Sequence, residues 1–294
     1  MLLSTQTDIL GQKFGDEQAV RILAAAGFDA IDYSMFGMSG AEHILHTDAA
    51  DKYVDHLRDV AEECSVVFNQ AHAPFVFKNW DDEDNFKNHI FPTITRAIRL
   101  AARMGVKIIV VHPLHHMRYE GNEEKLHDMN VNYYRSFIPY CEEYGIKVAT
   151  ENMWQRDAKR GYIIHDTCSR AAEFNRYLDD IASPWIVGCL DLGHCGLVGV
   201  EAENMIREMG SEHISALHVH DNDYISDAHV EPFSGKMNWQ EITKALGEIG
   251  YKGDFTFEAD IFFSKMDNDF VPSGAKYLHD VGRYLTGLVN KSRK

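Results

Sequence analysis

Short apolar runs alternate with amphipathic segments along the whole chain. The amphipathic segments repeat their apolar positions with the period of a helix, whereas the short runs are rich in β-branched residues, as buried strands are. Strands that alternate with helices form parallel sheets covered by helices, so the pattern predicts an α/β protein. The predicted strands are 1–6, 30–36, 65–72, 107–114, 146–153, 185–194, 214–222 and 254–260, and the predicted helices include 17–28, 49–65, 88–105, 130–145, 171–181 and 238–250.

Four of the predicted helices end in a glycine directly before the next strand: Gly27, Gly105, Gly145 and Gly250. Glycine at this position adopts the left-handed conformation that ends a helix and allows a tight turn. No linker rich in Pro, Gly or Ser divides the chain. Eight strand–helix units in one undivided chain predict a single (β/α)8 barrel, a TIM barrel, as one domain over residues 1–294. The alternative, a doubly wound open sheet, lacks a GxGxxG loop after the first strand.

Polar residues cluster where the predicted strands end. In (β/α)8 barrels the carboxyl ends of the strands form one rim, which carries the active site. A single histidine there is more often a hydrogen-bonded structural residue, but so many together predict a common site. The residues are His72, His112, Glu151, Asn152, Asp191, His194, His218, His220, Asp221, Glu258 and Asp260.

Three carboxylates and one histidine of this rim suit a metal ion. Glu151, Asp191 and Glu258 would repel one another when grouped away from water, and a divalent cation removes that repulsion. With His218 they offer mixed oxygen and nitrogen ligands, which admit one Mn²⁺, Mg²⁺, Co²⁺ or Zn²⁺. We expect no organic cofactor.

Composition narrows the class of protein. The 294 residues are 45% hydrophobic and 25% charged, as in an ordinary globular protein, and the net charge of −16 disfavours nucleic acid and anionic membranes as partners. The five cysteines form no CxxC pair, which favours reduced thiols. The first residues lack the features of a signal peptide, and no apolar run has the length of a membrane span. We expect a cytoplasmic protein, which could be a homo-oligomer.

Five segments resemble the xylose isomerase-like TIM-barrel superfamily: "ATENMW" (149–154), "LDLGH" (190–194), "LHVHDND" (217–223), "DAHVEPFSGKMNW" (227–239) and "FTFEAD" (255–260). That superfamily holds sugar isomerases and epimerases, of the tagatose/psicose 3-epimerase and hydroxypyruvate isomerase types, together with endonuclease IV. The resemblance implies that Glu151, Asp191, His218 and Glu258 bind the metal and that the two glutamates exchange protons with the substrate. One position departs from the pattern, because tagatose-type epimerases have an arginine where this chain has Tyr224.

The predicted function is a metal-dependent isomerase or epimerase of a sugar or sugar derivative. A metal chelated by a carbonyl and an adjacent hydroxyl would acidify the carbon between them and stabilise an enediolate, while Glu151 and Glu258 transfer the proton. Aromatic residues near the rim, Phe36, Phe75 and Trp154, could stack on a sugar or pack in the protein. The predicted substrate contacts are His72, His112, His194, Asp157, Trp154 and His229.

Three alternatives stay open at this level. An endonuclease IV-like phosphodiesterase acting on abasic DNA would use three zinc ions, and His72, His112, His194, Asp227 and His229 could be the additional ligands. A metal-dependent lyase or dehydratase could use the same proton-abstracting site on a sugar-like substrate. A non-catalytic sugar-binding barrel would have no need of two opposed glutamates.

Overall fold

Eight parallel strands form the centre of the molecule in the computed structural model, which describes residues 1–293. Numbered along the chain, the strands form a sheet in the order β10-β1-β2-β3-β4-β5-β8-β9, and β6 and β7 form a separate antiparallel hairpin. The strands are β1 Leu3–Gln6, β2 Ala30–Ser34, β3 Val67–His72, β4 Ile108–Val110, β5 Lys147–Glu151, β6 Trp154–Arg156, β7 Ile163–His165, β8 Ile186–Asp191, β9 Ile214–His218 and β10 Phe255–Phe257.

The two edges of the sheet meet just beyond the end of β9. Val219 pairs in parallel with Phe257. The Val219 amide donates to the Thr256 carbonyl at 2.9 Å, and the Glu258 amide donates to the Val219 carbonyl at 3.1 Å. The sheet is therefore closed, which confirms the predicted (β/α)8 barrel, and the doubly wound alternative is wrong.

Helices cover the outside of the barrel, and the glycines predicted to end them have positive φ angles, between 66° at Gly145 and 102° at Gly27. None of the helices formed by residues 1–293 combines the length and apolarity that a bilayer crossing requires. The α-helices are Asp8–Phe14, Asp16–Ala26, Ala50–Glu63, Glu83–Asn85, Phe91–Arg103, Glu123–Arg135, Ile138–Tyr144, Ala171–Ile181, Leu192–Leu197, Ala202–His213, Trp239–Glu248 and Val271–Ser292, and a π-helical turn spans Phe86–Ile90.

Two local features differ from the sequence prediction. The helix predicted over 130–145 is divided between Arg135 and Ile138, because Pro139 lacks an N–H and its ring excludes the carbonyl of residue 135 from a continuous helix. The hairpin of β6 and β7 directly follows the active-site strand β5 and was not predicted. It forms part of the wall of the site described below.

Four small apolar side chains form a buried layer inside the barrel: Val110, Ala149, Cys189 and Ala216. Cys189 is thus strand core, as its apolar surroundings predict. Because side chains alternate along a strand, the neighbouring residues face the helices, where the large core forms. The rim at the carboxyl ends of the strands is left to polar residues.

Candidate metal centre and active-site cavity

Four strand ends bring the four predicted metal ligands together. Glu151 ends β5, Asp191 ends β8, His218 ends β9 and Glu258 directly follows β10. Potential ligand atoms of all four lie within 4.8 Å of one another. The parallel register of the strands brings the four side chains together, because it places residues that are far apart in sequence at the same level of the barrel.

His218 lies between the two glutamates. Its Nδ1 lies 2.8 Å from Glu151 Oε1 and 3.3 Å from Glu258 Oε2. Burial alone would raise the pKa of Glu151, but the adjacent His218 and His112 hold that pKa well below its ordinary value. Glu151 is therefore an ionised carboxylate, which is the form that binds a metal or accepts a proton.

The chemistry of this group fits a divalent cation. Glu151, Asp191 and Glu258 are 1%, 0% and 6% exposed, so water cannot screen three neighbouring carboxylates. Glu151 Oε2 is buried without a hydrogen bond, although His112 Nε2 lies 3.0 Å away. A cation bound among these oxygens would satisfy the free acceptor and offset the repulsion.

Three further histidines are oriented in the way that metal ligands are. The Nδ1 atom of His72 lies 2.8 Å from the carbonyl oxygen of Ala73, and His194 and His229 make the same kind of contact with the carbonyls of Asn152 and Glu258. A ring that donates from Nδ1 keeps the lone pair of Nε2 free. Nε2 of each of these rings therefore faces the site, where it lies near His112 or Asp227.

These histidines take part in three additional groups with ligand atoms within 4.8 Å of one another; one joins His72 to His218 and Glu258, and the group around Asp227 includes His220. His72 and His112 join Glu151, and the Nε2 atoms of the two histidines lie 3.2 Å apart. His194 and His229 join Asp227, whose Oδ1 lies 3.2 Å from His229 Nε2. The site therefore offers more potential ligands than one ion needs.

Two buried residues outside the four predicted ligands lie against them; His220 belongs to the rim predicted from the sequence, whereas sequence reasoning missed Asp32. Asp32, in the middle of β2, lies 3.7 Å from His218 Nε2 and accepts from Gln70 at 2.9 Å. Burial raises the pKa of Asp32 to about 6. The sequence did contain a signal for Asp32, because it is an acidic residue inside an apolar strand. Its side chain faces the barrel interior. His220 is the second, since its Nε2 lies 3.0 Å from Asp191 Oδ1 and its ring stacks on His229.

Asp221, next to His220, is a structural residue. Its fully buried carboxylate accepts four hydrogen bonds, from the amides of Asn222, Phe233 and Met237 and from the indole N–H of Trp239. With its acceptor positions occupied, it fixes the long loop after β9. That loop carries Asp227 and His229 to the rim.

A cavity of about 1040 Å³ opens onto the metal centre. Glu151, Glu258, His112, His194 and His229 line its inner end. Phe75 lines it as well and packs against Phe36 and His112, with ring centroids 4.5 and 4.9 Å apart. The hairpin of β6 and β7 and the loop 115–120 form the outer wall.

The remaining predicted substrate contacts lie on or near this wall. Trp154 lines the cavity, and its indole N–H donates to Asp227 Oδ2 at 3.2 Å. Asp157 lines the cavity at the tip of the hairpin, where it accepts from the amides of Lys159 and Arg160. Tyr224 packs over Gly196 with its hydroxyl 3.1 Å from the Lys236 carbonyl, outside the residues that line the cavity.

Comparison with known proteins places the chain among similar barrels. The uncharacterized protein MJ1311 of Methanocaldococcus jannaschii is 30% identical over 211 residues, which cover 70% of this chain and 68% of that protein. A crystal structure of a D-tagatose 3-epimerase-like protein matches with a TM-score of 0.75 and 20% identity, over 99% of both chains. The IolI protein with a bound zinc atom matches with a TM-score of 0.73 and 17% identity, also over 99% of both chains.

At these identities the structural matches show a common fold. The family described as "Xylose isomerase-like TIM barrel" matches residues 20–268, most of the chain and all of the candidate site from His72 to Glu258. This match confirms the resemblance in the sequence. The chain is a member of the xylose isomerase-like TIM-barrel family.

Proposed function

We propose that this protein is a divalent-metal-dependent isomerase or epimerase of a sugar or sugar derivative. The observation that carries the proposal is the convergence of Glu151, Asp191, His218 and Glu258 at one buried point that opens into a cavity. The likeness to a D-tagatose 3-epimerase-like protein supports the substrate class, and the likeness to zinc-bound IolI supports a metal.

Glu151, Asp191, His218 and Glu258 would hold the cation. When bound, a divalent cation polarises a carbonyl and an adjacent hydroxyl and so acidifies the C–H bond between them.

The protein's own residues move the proton. Glu151 and Glu258 come from strands separated in the barrel by β8 and β9, so their carboxylates reach the cavity from different directions. One carboxylate removes the proton from carbon. Either the same carboxylate returns it to the neighbouring carbon, or the other glutamate, protonated at the start of the cycle, donates its own proton to the opposite face. His112 and His194, both in the wall, can accept or donate hydrogen bonds to substrate hydroxyls. Phe75 and Trp154 also line the cavity and offer aromatic surface on which a sugar ring can stack.

The test measures incorporation of deuterium from solvent into ketoses and aldoses by the Mn²⁺-loaded protein. We expect Glu151→Gln and Glu258→Gln to lower the exchange rate by about 100-fold or more, the usual contribution of an acid–base residue. Glu208→Gln, which changes an exposed glutamate on the helix Ala202–His213, is the matched control. Elemental analysis of each variant separates loss of metal from loss of proton transfer. Full exchange in either active-site variant would refute the assignment.

One specific observation favours a second function. The groups His72–His112–Glu151 and His194–Asp227–His229 flank the central ligands, so the site can supply ligands for three ions, as an endonuclease IV-like zinc phosphodiesterase acting on abasic DNA requires. Three tightly bound zinc ions per chain, together with cleavage of an abasic duplex, would establish the phosphodiesterase. One exchangeable Mn²⁺ or Mg²⁺ and no cleavage would support the isomerase.

A further inference from the structure

The cavity is larger than a simple sugar needs. Its volume of about 1040 Å³ lies at the upper end of ligand pockets, which hold drug-sized molecules in about 300–1000 Å³. A hexose, with about a dozen heavy atoms, would fill only part of such a pocket. The inner end receives the reacting carbon, so the outer part is available to a second portion of the substrate.

The charges of the cavity are separated along its length. Glu151, Asp227 and Glu258 make the inner end acidic. The outer wall carries five cationic side chains, and it has only two carboxylates, Glu120 and Asp157. On a chain with a net charge of −16, such a cationic wall is a local exception. We call it the basic wall: Lys78, Arg118, Arg156, Lys159 and Arg160.

Both carboxylates of the basic wall are already engaged. Glu120 pairs with Arg118, and Asp157 accepts from the backbone of the hairpin tip and lies 3.7 Å from Arg160. Among residues 1–293, Arg156 and Lys159 have no carboxylate within 4.0 Å. Their charge is therefore available to a ligand.

The hairpin holds Arg156 in place. Trp154 and Arg156 are two residues apart on β6, so their side chains share a face, and the guanidinium lies 5.5 Å from the indole centroid. Arg156 also donates to the Gly161 carbonyl at 3.0 Å. Because Trp154 in turn bonds to Asp227 of the metal centre, the position of Arg156 relative to the inner end is defined.

A buried carboxylate orients a further polar group at the same wall. Asp166 is fully buried, and its Oδ2 lies 3.0 Å from Nδ1 of His115 while its Oδ1 accepts from the Thr167 amide. His115 lines the cavity, and the contact with Asp166 leaves its Nε2 for a ligand. This pair plays no part in the proton transfer assigned to the two glutamates.

We propose that the basic wall and His115 bind an anionic group, a phosphate ester or a carboxylate, that the substrate carries away from its reacting carbon. The inference rests on the proposed function for the inner end of the cavity. The metal centre receives the carbonyl-bearing carbons, and Arg156 and Lys159 pair with the anion. Arginine and lysine recognise phosphate and carboxylate through charge-assisted hydrogen bonds.

The test is calorimetric binding of D-fructose, D-fructose 6-phosphate and D-galacturonate to the Mn²⁺-loaded protein. We expect at least one anionic probe to bind about 10-fold or more tightly than fructose, the effect of one or two hydrogen bonds to charged groups. The preferred probe identifies the anionic group. Equal binding of all three overturns the proposal.

The double variant Arg156→Ala/Lys159→Ala should remove this preference and leave fructose binding unchanged. The control Lys52→Ala/Lys291→Ala removes the same charge from exposed helix positions outside the cavity and should keep the preference. If both double variants lost the preference for the anionic probe equally, the net charge of the protein, and not the basic wall, would attract the anion. Tighter binding of an abasic DNA duplex, lost in Arg156→Ala/Lys159→Ala, would overturn the proposal in favour of nucleic acid.

These measurements need no turnover, so the two proposals can fail separately. Preferential binding of an anionic probe without isomerisation of any sugar would leave the basic wall assigned and refute the proposed function. Turnover of neutral sugars without preferential binding of an anion would support the proposed function and refute the basic wall as an anion site.

Discussion

Replacing Gly193 with alanine would place a methyl group against the imidazole ring of His220. An alanine Cβ at this position would lie 2.5 Å from each ring nitrogen of His220 and closer still to Cε1. Gly193 lies in the short helix that follows β8, and His220 is fully buried, so neither group has room to give way. The ring must turn or shift away from Asp191.

Two effects set how much Gly193→Ala lowers the free energy of unfolding. Forcing a methyl group into a packed interior costs about 1–3 kcal/mol. The displaced ring also gives up its contacts with both oxygens of Asp191, at 3.0 and 3.1 Å, and losing a hydrogen bond to a buried charged group costs about 1.5–3 kcal/mol. We therefore expect Gly193→Ala to lower the free energy of unfolding by about 3–5 kcal/mol. Metal affinity should fall as well, because Asp191 is one of the four proposed ligands.

The assay is urea unfolding of the metal-free protein, followed by titration of the folded variant with Mn²⁺. Gly287→Ala is the matched control, since Gly287 lies inside the helix Val271–Ser292 and an added Cβ meets nothing within 4 Å. Removing a glycine from a helix interior should stabilise the protein by about 0.5–1 kcal/mol. The two substitutions thus have opposite predicted signs. If Gly193→Ala unfolds at the urea concentration of the unchanged protein and binds Mn²⁺ equally well, the packing of His220 against Asp191 is refuted.

Three further predictions test the surroundings of the site. Asp32→Asn should lower metal affinity by about 10- to 100-fold, the usual effect of removing a carboxylate behind a histidine ligand; unchanged affinity by competition with a chelator would exclude Asp32 as the group that positions His218. Asp221→Asn should lower the free energy of unfolding by about 3 kcal/mol, because an amide NH₂ then faces buried N–H donors, whereas Asp48→Asn, at an exposed position, should change it little; equal unfolding curves would contradict the anchoring role. Saturating Mn²⁺ at 100 times its Kd should stabilise the chelator-treated protein by about 2.7 kcal/mol, and an unchanged thermal midpoint would argue against a metal at the buried carboxylates.

The barrel and the four candidate ligands could be predicted from local patterns in the sequence. Strand and helix periods depend on local side-chain patterns, so the alternation of apolar runs and amphipathic segments specified eight strand–helix units without knowledge of distant contacts. Placing Glu151, Asp191, His218 and Glu258 at one rim needed only the rule that parallel strands end together. The break before Ile138 was also readable in principle, because Pro139 acts on its own helix.

What surrounds these ligands depends on contacts between distant parts of the chain. Asp32 lies 3.7 Å from His218 because β2 and β9, separated in the closed barrel by β1 and β10, both direct these side chains to the interior, a relation that no local pattern carries. The hairpin of β6 and β7 depends on pairing between residues on either side of a turn, and Asp157 stabilises the tip of that turn by accepting backbone amides while it also lines the cavity. His220 and Asp221 are adjacent in sequence, yet one contacts Asp191 and the other anchors a loop. Both residues follow the end of β9, and the function of each depends on which parts of the fold lie beside its own side chain.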